Sequence, residues 1–471
     1  MLSQNKRTRD FTEGPLFFKI LLFVLPITLT AILQVFYNTA DNIVVGRFSG
    51  DDLALAAVGS TTYLTGLVTN LLIGIAAGSN VMVSQAIGAK DEQRVSRSVH
   101  TSITFAMIGG IAFMALGLII SRPALVFIGT KPEVLDKAVL YMRIICLGIP
   151  ASAVYNFGAG VIRSTGDSKT SLTILSVSGI INVLLNLVFV IVFNMAVAGV
   201  AIATITAQYI SAICVVLVLM RKKGECYELD LRRLGIDKEI LLKMLRYGVP
   251  TGIQSSLFAI SNVTMASAVN TMPTAVVSAK TISTNIESIS NTAVGSFGTA
   301  TVTFVGQNYG AKKPERIKKS IFCAMLQVFI CGFTISQIIL LFGDKLASNF
   351  VDASNPNAEL IVGYAVQIMT VCLSANFLNG FQQTLSAAVR GMGYSITSMI
   401  MSLSGACLFR ILWVSFVFPL EKMNNIFGLH IVYPISWALT ALLQLSVLIV
   451  LYLRFKKRII EEQSAEAESL I

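Results

Sequence analysis

Charge is what this sequence has least of. Asp, Glu, Lys and Arg make up 13% of its 471 residues, against 54% hydrophobic, where a soluble domain carries about 25% charge. So little charge cannot cover a water-facing surface. Histidine occurs only at His100 and His430, far apart and without a ligand-spaced partner. The seven cysteines are Cys146, Cys214, Cys226, Cys323, Cys331, Cys372 and Cys407. They form no C-x-x-C pair and read as small core residues rather than metal or redox groups. Neither H-E-x-x-H nor G-x-x-x-x-G-K-[ST] is present, so zinc hydrolysis and ATP hydrolysis lack their motifs. The sequence points to no enzyme, no cofactor and no metal.

What fills the chain instead is long uncharged stretches, at 20–40, 53–79, 101–121, 170–193, 194–220, 320–342, 360–389 and 431–453. Each is long enough to cross roughly 30 Å of hydrocarbon at about 1.5 Å per residue. The fold class that follows is an all-α polytopic membrane protein. Twelve transmembrane helices are expected, at about 16–46, 53–79, 98–121, 138–160, 168–193, 196–220, 243–268, 275–302, 318–342, 358–388, 394–418 and 430–453. The fifth and sixth are divided only by "FNMAVAG". The first begins too late, and is too long, for a cleavable signal peptide.

The net charge of +11 follows this layout and is no nucleic-acid signal. With the N-terminus inside, the inner segments hold 27 of the 36 Lys and Arg. That is the positive-inside bias, and an even span count puts both termini in the cytoplasm of a cell-membrane protein. The basic tail "RFKKR" also suits contact with lipid headgroups. No nucleic acid is expected as a partner; a monomer in the bilayer is.

The chain repeats itself. "SQAIGAKDEQRVSRS" at 84–98 matches "GQNYGAKKPERIKKS" at 306–320 through Gln, Gly, Ala, Lys, Arg and Ser at one offset. "RSTGDSKT" at 163–170 matches "RGMGYSIT" at 390–397, and Pro26 of the first span answers Pro250 of the seventh. Three matches in the same order define two six-helix pseudo-symmetric lobes. The N-terminal lobe covers 1–220 and the C-terminal lobe 243–456, with a cytoplasmic linker at 221–242 and a tail at 457–471. Parallel six-span bundles joined in this way are a usual frame for alternating access. Small residues within spans, as in "GIAAGS" at 74–79 and "GSFGTA" at 295–300, suit close helix contact or local bending.

Together with "YNTADNIVVGRFSGDDLALAAVG" and "VIRSTGDSK", the paired loops resemble the multidrug and toxic compound extrusion (MATE) family, in its bacterial branch. The resemblance covers essentially the whole chain. It implies a twelve-helix, two-lobed antiporter that expels organic, often cationic and amphiphilic compounds against inward H⁺ or Na⁺ flow. A major-facilitator transporter shares the six-plus-six layout, but its Gly/Asp/Arg/Gly/Arg signature does not fit "GAKDEQRVSR".

One carboxylate, Asp41, interrupts the apolar first span. An acid in hydrocarbon costs several kcal/mol unless it is protonated, paired or wetted, so its proton occupancy can report which side of the membrane reaches it. The plain alternative is an acid near a helix end, reaching for the interface beside Arg47. The resemblance favours the first reading, because Asp41 falls where the family carries a functional first-helix aspartate. Asn182 and Asn186 share a helix face at i, i+4, and Thr204 lies in the next span. In the resembling family these helices present an Asn, an acid four residues later and a Thr; here Asn186 takes the acid's place. With one negative charge fewer, H⁺ coupling at Asp41 is favoured over a Na⁺ site. Asp41, Asn182, Asn186 and Thr204 are therefore the candidate ion-coupling residues.

In the second half, Met265 occupies the place that answers Asp41. Span ten offers amides, among them Gln367, Asn376 and Gln383, while Lys280 and Glu287 share a helix face two turns apart. These five, with Gln34, Tyr37 and Asn38, are candidate cavity-lining residues. Arg410 reads as a structural partner between helices. The leading function is an antiporter for small amphiphilic, cationic organic substrates. A flippase for a lipid-linked saccharide or cell-wall precursor is the alternative, although the spans offer little beyond Lys280 and Arg410 to bind a pyrophosphate.

Overall fold

The computed structural model describes residues 10–48, 53–352 and 355–468, and among them the regular structure is all helical, with no strand. The basic residues Lys6, Arg7 and Arg9 and the side chain of Arg47 lie outside the described set. Two compact units form, one over Leu25–Gly252, the other from Phe11–Val24 with Ile253–Ile471.

The first unit is built from α1 (Leu16–Phe48), α2 (Ala54–Gly88), α3 (Glu92–Phe127), α4 (Pro132–Leu147), α5 (Ile149–Ser164), α6 (Ser168–Leu187) and α7 (Ala196–Met220). It also takes the first half of α8 (Lys238–Val269). The second unit continues with the rest of α8, α9 (Thr274–Gly310), α10 (Pro314–Leu341), α11 (Gly343–Ser348), α12 (Ala358–Leu373) and α13 (Asn376–Gly391). It closes with α14 (Ser395–Ser402), α15 (Phe409–Leu412), α16 (Ile426–His430) and α17 (Val432–Glu468). The unit boundaries fall inside α1 and α8, two residues or fewer from Pro26 and Pro250. A proline ring removes one helical hydrogen bond and crowds the carbonyl four residues back. Each of these helices thus changes unit where its ladder is weakest.

Helix starts follow ordinary capping chemistry. Asp91 accepts from the backbone N–H of Arg94 at 2.9 Å, and Asp167 from that of Thr170 at 3.1 Å. The repeat persists in backbone conformation. Lys90 (φ 56°) and Lys312 (φ 55°) both close a helix in the left-handed region, and Gly166 (φ 85°) and Gly393 (φ 91°) do so at the second matched pair. After Lys90, the N–H of Asp91 reaches the carbonyl of Ala86 at 3.1 Å; after Lys312, that of Lys313 reaches Asn308 at 3.0 Å. Matched residues therefore make matched Schellman-type turns.

The second of these loops grips the segment ahead of α1. The Phe11 ring stacks on Phe304 at 3.9 Å, and its N–H donates to Gln307 Oε1 at 3.0 Å. Its carbonyl accepts from Arg316 at 3.1 Å, and Thr12 accepts from Lys313 at 3.0 Å.

Among the described residues, eight helices are long and apolar enough to cross a membrane, and ten if each of two bent pairs counts as one. The pairs are α4 with α5 and α12 with α13, each bent by 43°. The bends fall at Gly148 and at 374–375, positions that the repeat places in register. In the first pair Pro150 cannot donate to Cys146, so the ladder breaks there. The helices α8 and α9, of 32 and 37 residues, are equally long but are interrupted by polar groups such as Gln254, Ser261, Lys280 and Glu287. The expected count of twelve includes both.

Candidate functional site

The first unit holds a cavity of about 150 Å³ lined by α1, α5, α6 and α7. One face of α1 brings Gln34, Tyr37, Asn38 and Asp41 to it, at the i, i+3, i+4 and i+7 spacing of a helical stripe. Ser178 and Asn182 reach it from α6, and Thr204, Gln208 and Ser211 from α7. Hydroxyls and amides thus surround a single carboxylate.

Asp41 is held from two sides. The amide N–H of Asn186 donates to Oδ1 in a short contact. On the other side Thr204 Oγ1 lies 3.4 Å from Oδ2. The same hydroxyl donates to the carbonyl of Val200 at 2.9 Å. A hydroxyl has one proton and two lone pairs. While that proton serves Val200, a lone pair faces Asp41 and suits a protonated carboxyl; turned the other way, the proton serves a carboxylate. Asn186 is fully buried, and its Oδ1 meets no partner among the described residues. In this orientation the amide meets Asp41 through its nitrogen, and its oxygen faces away. A π-helical stretch, Val188–Val192, follows within one turn. Such widened turns are frequent at functional sites.

Tyr37 fills one wall of the cavity. Its hydroxyl donates to the carbonyl of Ser176 at 3.3 Å, and its ring packs directly against Gly179 of α6. A Cβ on Gly179 would sit 1.8 Å from Tyr37 Cε2. Gly179→Ala is accordingly expected to cost about 1–3 kcal/mol, the usual range for overpacking. Thermal unfolding of Gly179→Ala and of Gly179→Ala/Tyr37→Leu checks this: the second substitution should restore most of the loss.

The second-half residues are distributed differently. Asn376 and Gln383 join one chain of amides: Gln383 donates to Asn379 at 3.1 Å, Asn379 to Asn376 at 3.2 Å, and Asn376 to Ser290 at 2.8 Å. This chain ties α13 to α9. Gln367 stands exposed on α12, on the other side of the bend. Lys280 Nζ and Glu287 Oε2 are 4.0 Å apart. Arg410 is buried and donates to Ser436 Oγ at 3.0 Å.

Sequence reading did not pick out Ser152, Tyr155 and Asn156 of α5, or Ser178 and Gln208. Two of these were within reach of a helical-face rule: Ser178 stands four residues before Asn182, and Gln208 four after Thr204. Among the described residues, no three His, Cys, Asp or Glu side chains gather to hold a metal, and all seven cysteines are free.

Three comparisons bear on this geometry. The MatE family model matches residues 26–188 and 250–414. The chain is 29% identical over 434 residues to the probable multidrug resistance protein YoeA of Bacillus subtilis, covering 90% of this chain and 91% of that one. It is 23% identical over 459 residues to the multidrug export protein MepA of Staphylococcus aureus, covering 94% and 95%. A MATE crystal structure in the bent conformation aligns with a TM-score of 0.88 at 21% identity, over 97% of this chain and 99% of that chain; this likeness concerns the fold alone.

Proposed function

The chain belongs to the MatE family, and on that premise we propose that it expels amphiphilic cationic compounds in exchange for protons taken up at Asp41. It is a multi-pass membrane protein and an efflux transporter of the alternating-access type, not an enzyme. We further propose that α8 and α9 cross the bilayer with the rest, giving twelve spans with cytoplasmic termini. Their lengths of 32 and 37 residues exceed the roughly 20 that a span requires. The polar groups that break their apolar faces suit helices turned toward a wet interior.

One observation carries the ion assignment: the carboxylate of Asp41 is met by an N–H donor from Asn186 and by the two-way hydroxyl of Thr204. A sodium ion wants several oxygen ligands around it, and here a nitrogen occupies the nearest place. A proton needs only the carboxyl and an acceptor. Proton uptake cancels the charge that holds a cationic cargo; proton loss on the other side restores it.

The test is efflux of ethidium from proteoliposomes under imposed gradients. A pH gradient should drive efflux in the absence of sodium, and a sodium gradient alone should not; the opposite pattern contradicts the reading. Asn186→Asp supplies a second carboxylate beside the first. That variant is expected to gain a saturable sodium-dependent rise in thermal stability that the wild type lacks.

A further inference from the structure

The second unit buries charged groups that the proton reading leaves unused. Lys280 and Glu287 stand on one face of α9, and Arg410 comes from α15, between the π-helical stretches Leu403–Leu408 and Trp413–Val417. Both cations rest on one ring: Lys280 Nζ lies 5.2 Å, and Arg410 Cζ 4.6 Å, from the centroid of Tyr433. Among the described residues Glu287 is the only carboxylate paired there. His430, beside the same ring, donates through Nδ1 to the carbonyl of Ile426 at 2.8 Å, and its Nε2 has no hydrogen-bond partner among the described residues, so that acceptor is spent on neither cation. Two cations and one acid leave an excess of one positive charge.

Arg410 carries most of that excess. It is 5% exposed, and its guanidinium has five N–H donors. Among the described residues its hydrogen-bond acceptor is Ser436 Oγ, at 3.0 Å; the Ser436 hydroxyl spends its own proton on the carbonyl of Tyr433 at 2.8 Å. A buried cation with most of its donors unspent is costly, and an aromatic face offsets only part of that. The Lys280–Glu287 contact is at the outer limit of ion pairing, and among the described residues Glu287 Oε1 has no hydrogen-bond partner. Lys280 keeps a 19% exposed side chain, so the cluster is open on its side. Met265, which answers Asp41 in the repeat, is packed with Leu429 and Val432 and supplies no charge.

We propose that this cluster is a monoanion site, taking the carboxylate or sulfonate of an amphiphilic compound between Lys280 and Arg410, with the apolar body against Tyr433. It deepens the export reading, on which the cargo's fate rests, by adding acid-bearing and zwitterionic amphiphiles to the substrate class.

The chain's two tryptophans make the site observable. Trp413 lies within one turn of Arg410, and the Trp437 ring lies 6.0 Å from that of Tyr433. Energy transfer from tryptophan to 1-pyrenebutyrate is measured in nanodiscs of zwitterionic lipid, with 4-(1-pyrenyl)butyltrimethylammonium as the matched cation. The carboxylate should give saturable transfer and bind more tightly than the cation. Arg410→Gln and Lys280→Gln should each weaken it about thirtyfold or more, as loss of one partner of a buried charge pair does; Arg410→Lys should retain much of it. Should Arg410→Gln fail to fold, Lys280→Gln, at the open side, decides alone. Equal affinity for the two probes, or carboxylate binding that survives Lys280→Gln, overturns the proposal. So does displacement of pyrenebutyrate by millimolar chloride in place of gluconate, which would make the occupant an inorganic anion. Because binding is read without transport, loss of ethidium efflux with intact pyrenebutyrate binding refutes the export reading and leaves this site standing. The reverse pattern refutes the site alone.

Discussion

Asp41→Asn is expected to give a folded protein in which a pH gradient no longer drives efflux, the rate falling by about two orders of magnitude, to the leak of empty liposomes. The reason is local. An asparagine has nearly the shape of the aspartate and can turn its carbonyl toward the Asn186 amide that now serves Oδ1. One neutral hydrogen bond then replaces a charge-assisted one, a difference of about 1 kcal/mol, so the thermal midpoint should move by only a few degrees. What disappears is the exchangeable proton. Asp41→Glu keeps it but pushes a longer side chain into a cavity of about 150 Å³, and should retain partial, slower coupling. Efflux of ethidium in the three proteins, with midpoints measured on the same preparations, separates lost coupling from lost fold.

Gly248→Val is expected to leave little folded protein. Within the first unit α2 and the first half of α8 meet backbone to backbone, through Gly74 and Gly78 on one side and Gly248 and Gly252 on the other. A Cβ on Gly248 would lie 2.6 Å from the carbonyl oxygen of Ile75, and one on Gly74 would lie 2.2 Å from Gly252 Cα. Two small-x-x-x-small faces thus meet, the arrangement that lets membrane helices approach most closely. No side chain stands there to swing aside, so the cost should reach or exceed about 3 kcal/mol, the upper end for overpacking. Gly66→Ala, at a position with nothing within 4 Å, is the control and should be neutral or slightly stabilising. Yield of monodisperse protein on size exclusion and its thermal midpoint check both.

These contacts also show what was readable in the sequence. "GIAAGS" suited close helix contact or local bending, and the structure supplies a contact partner in "GVPTG" of α8, whose spacing is the same. The paired loops were legible because matched residues do matched work: Lys90 and Lys312 adopt the same left-handed turn. Asn186 was legible as one of two amides on a helix face, and it does reach Asp41. The 43° bends were not, since apolar composition runs unbroken through Gly148 and Ser374 and hydropathy does not register direction. Nor was the exchange of α1 and α8 between units. A charged linker at 221–242 suggests a boundary there, whereas helix packing places the change near Pro26 and Pro250. Gln367, Asn376 and Gln383 looked alike as polar residues in one span. The bend between α12 and α13 sends the first to an exposed face and the other two into a satisfied amide chain.

The most direct test is a count of protons released when ethidium binds to the purified transporter in weakly buffered solution, scanned from acid to neutral pH. If Asp41 exchanges a proton for the cargo, the wild type should release up to about one proton per bound cation, and Asp41→Asn none. Equal release from the two proteins, or ethidium binding to the wild type with no release at any pH, would contradict the assignment of coupling to Asp41.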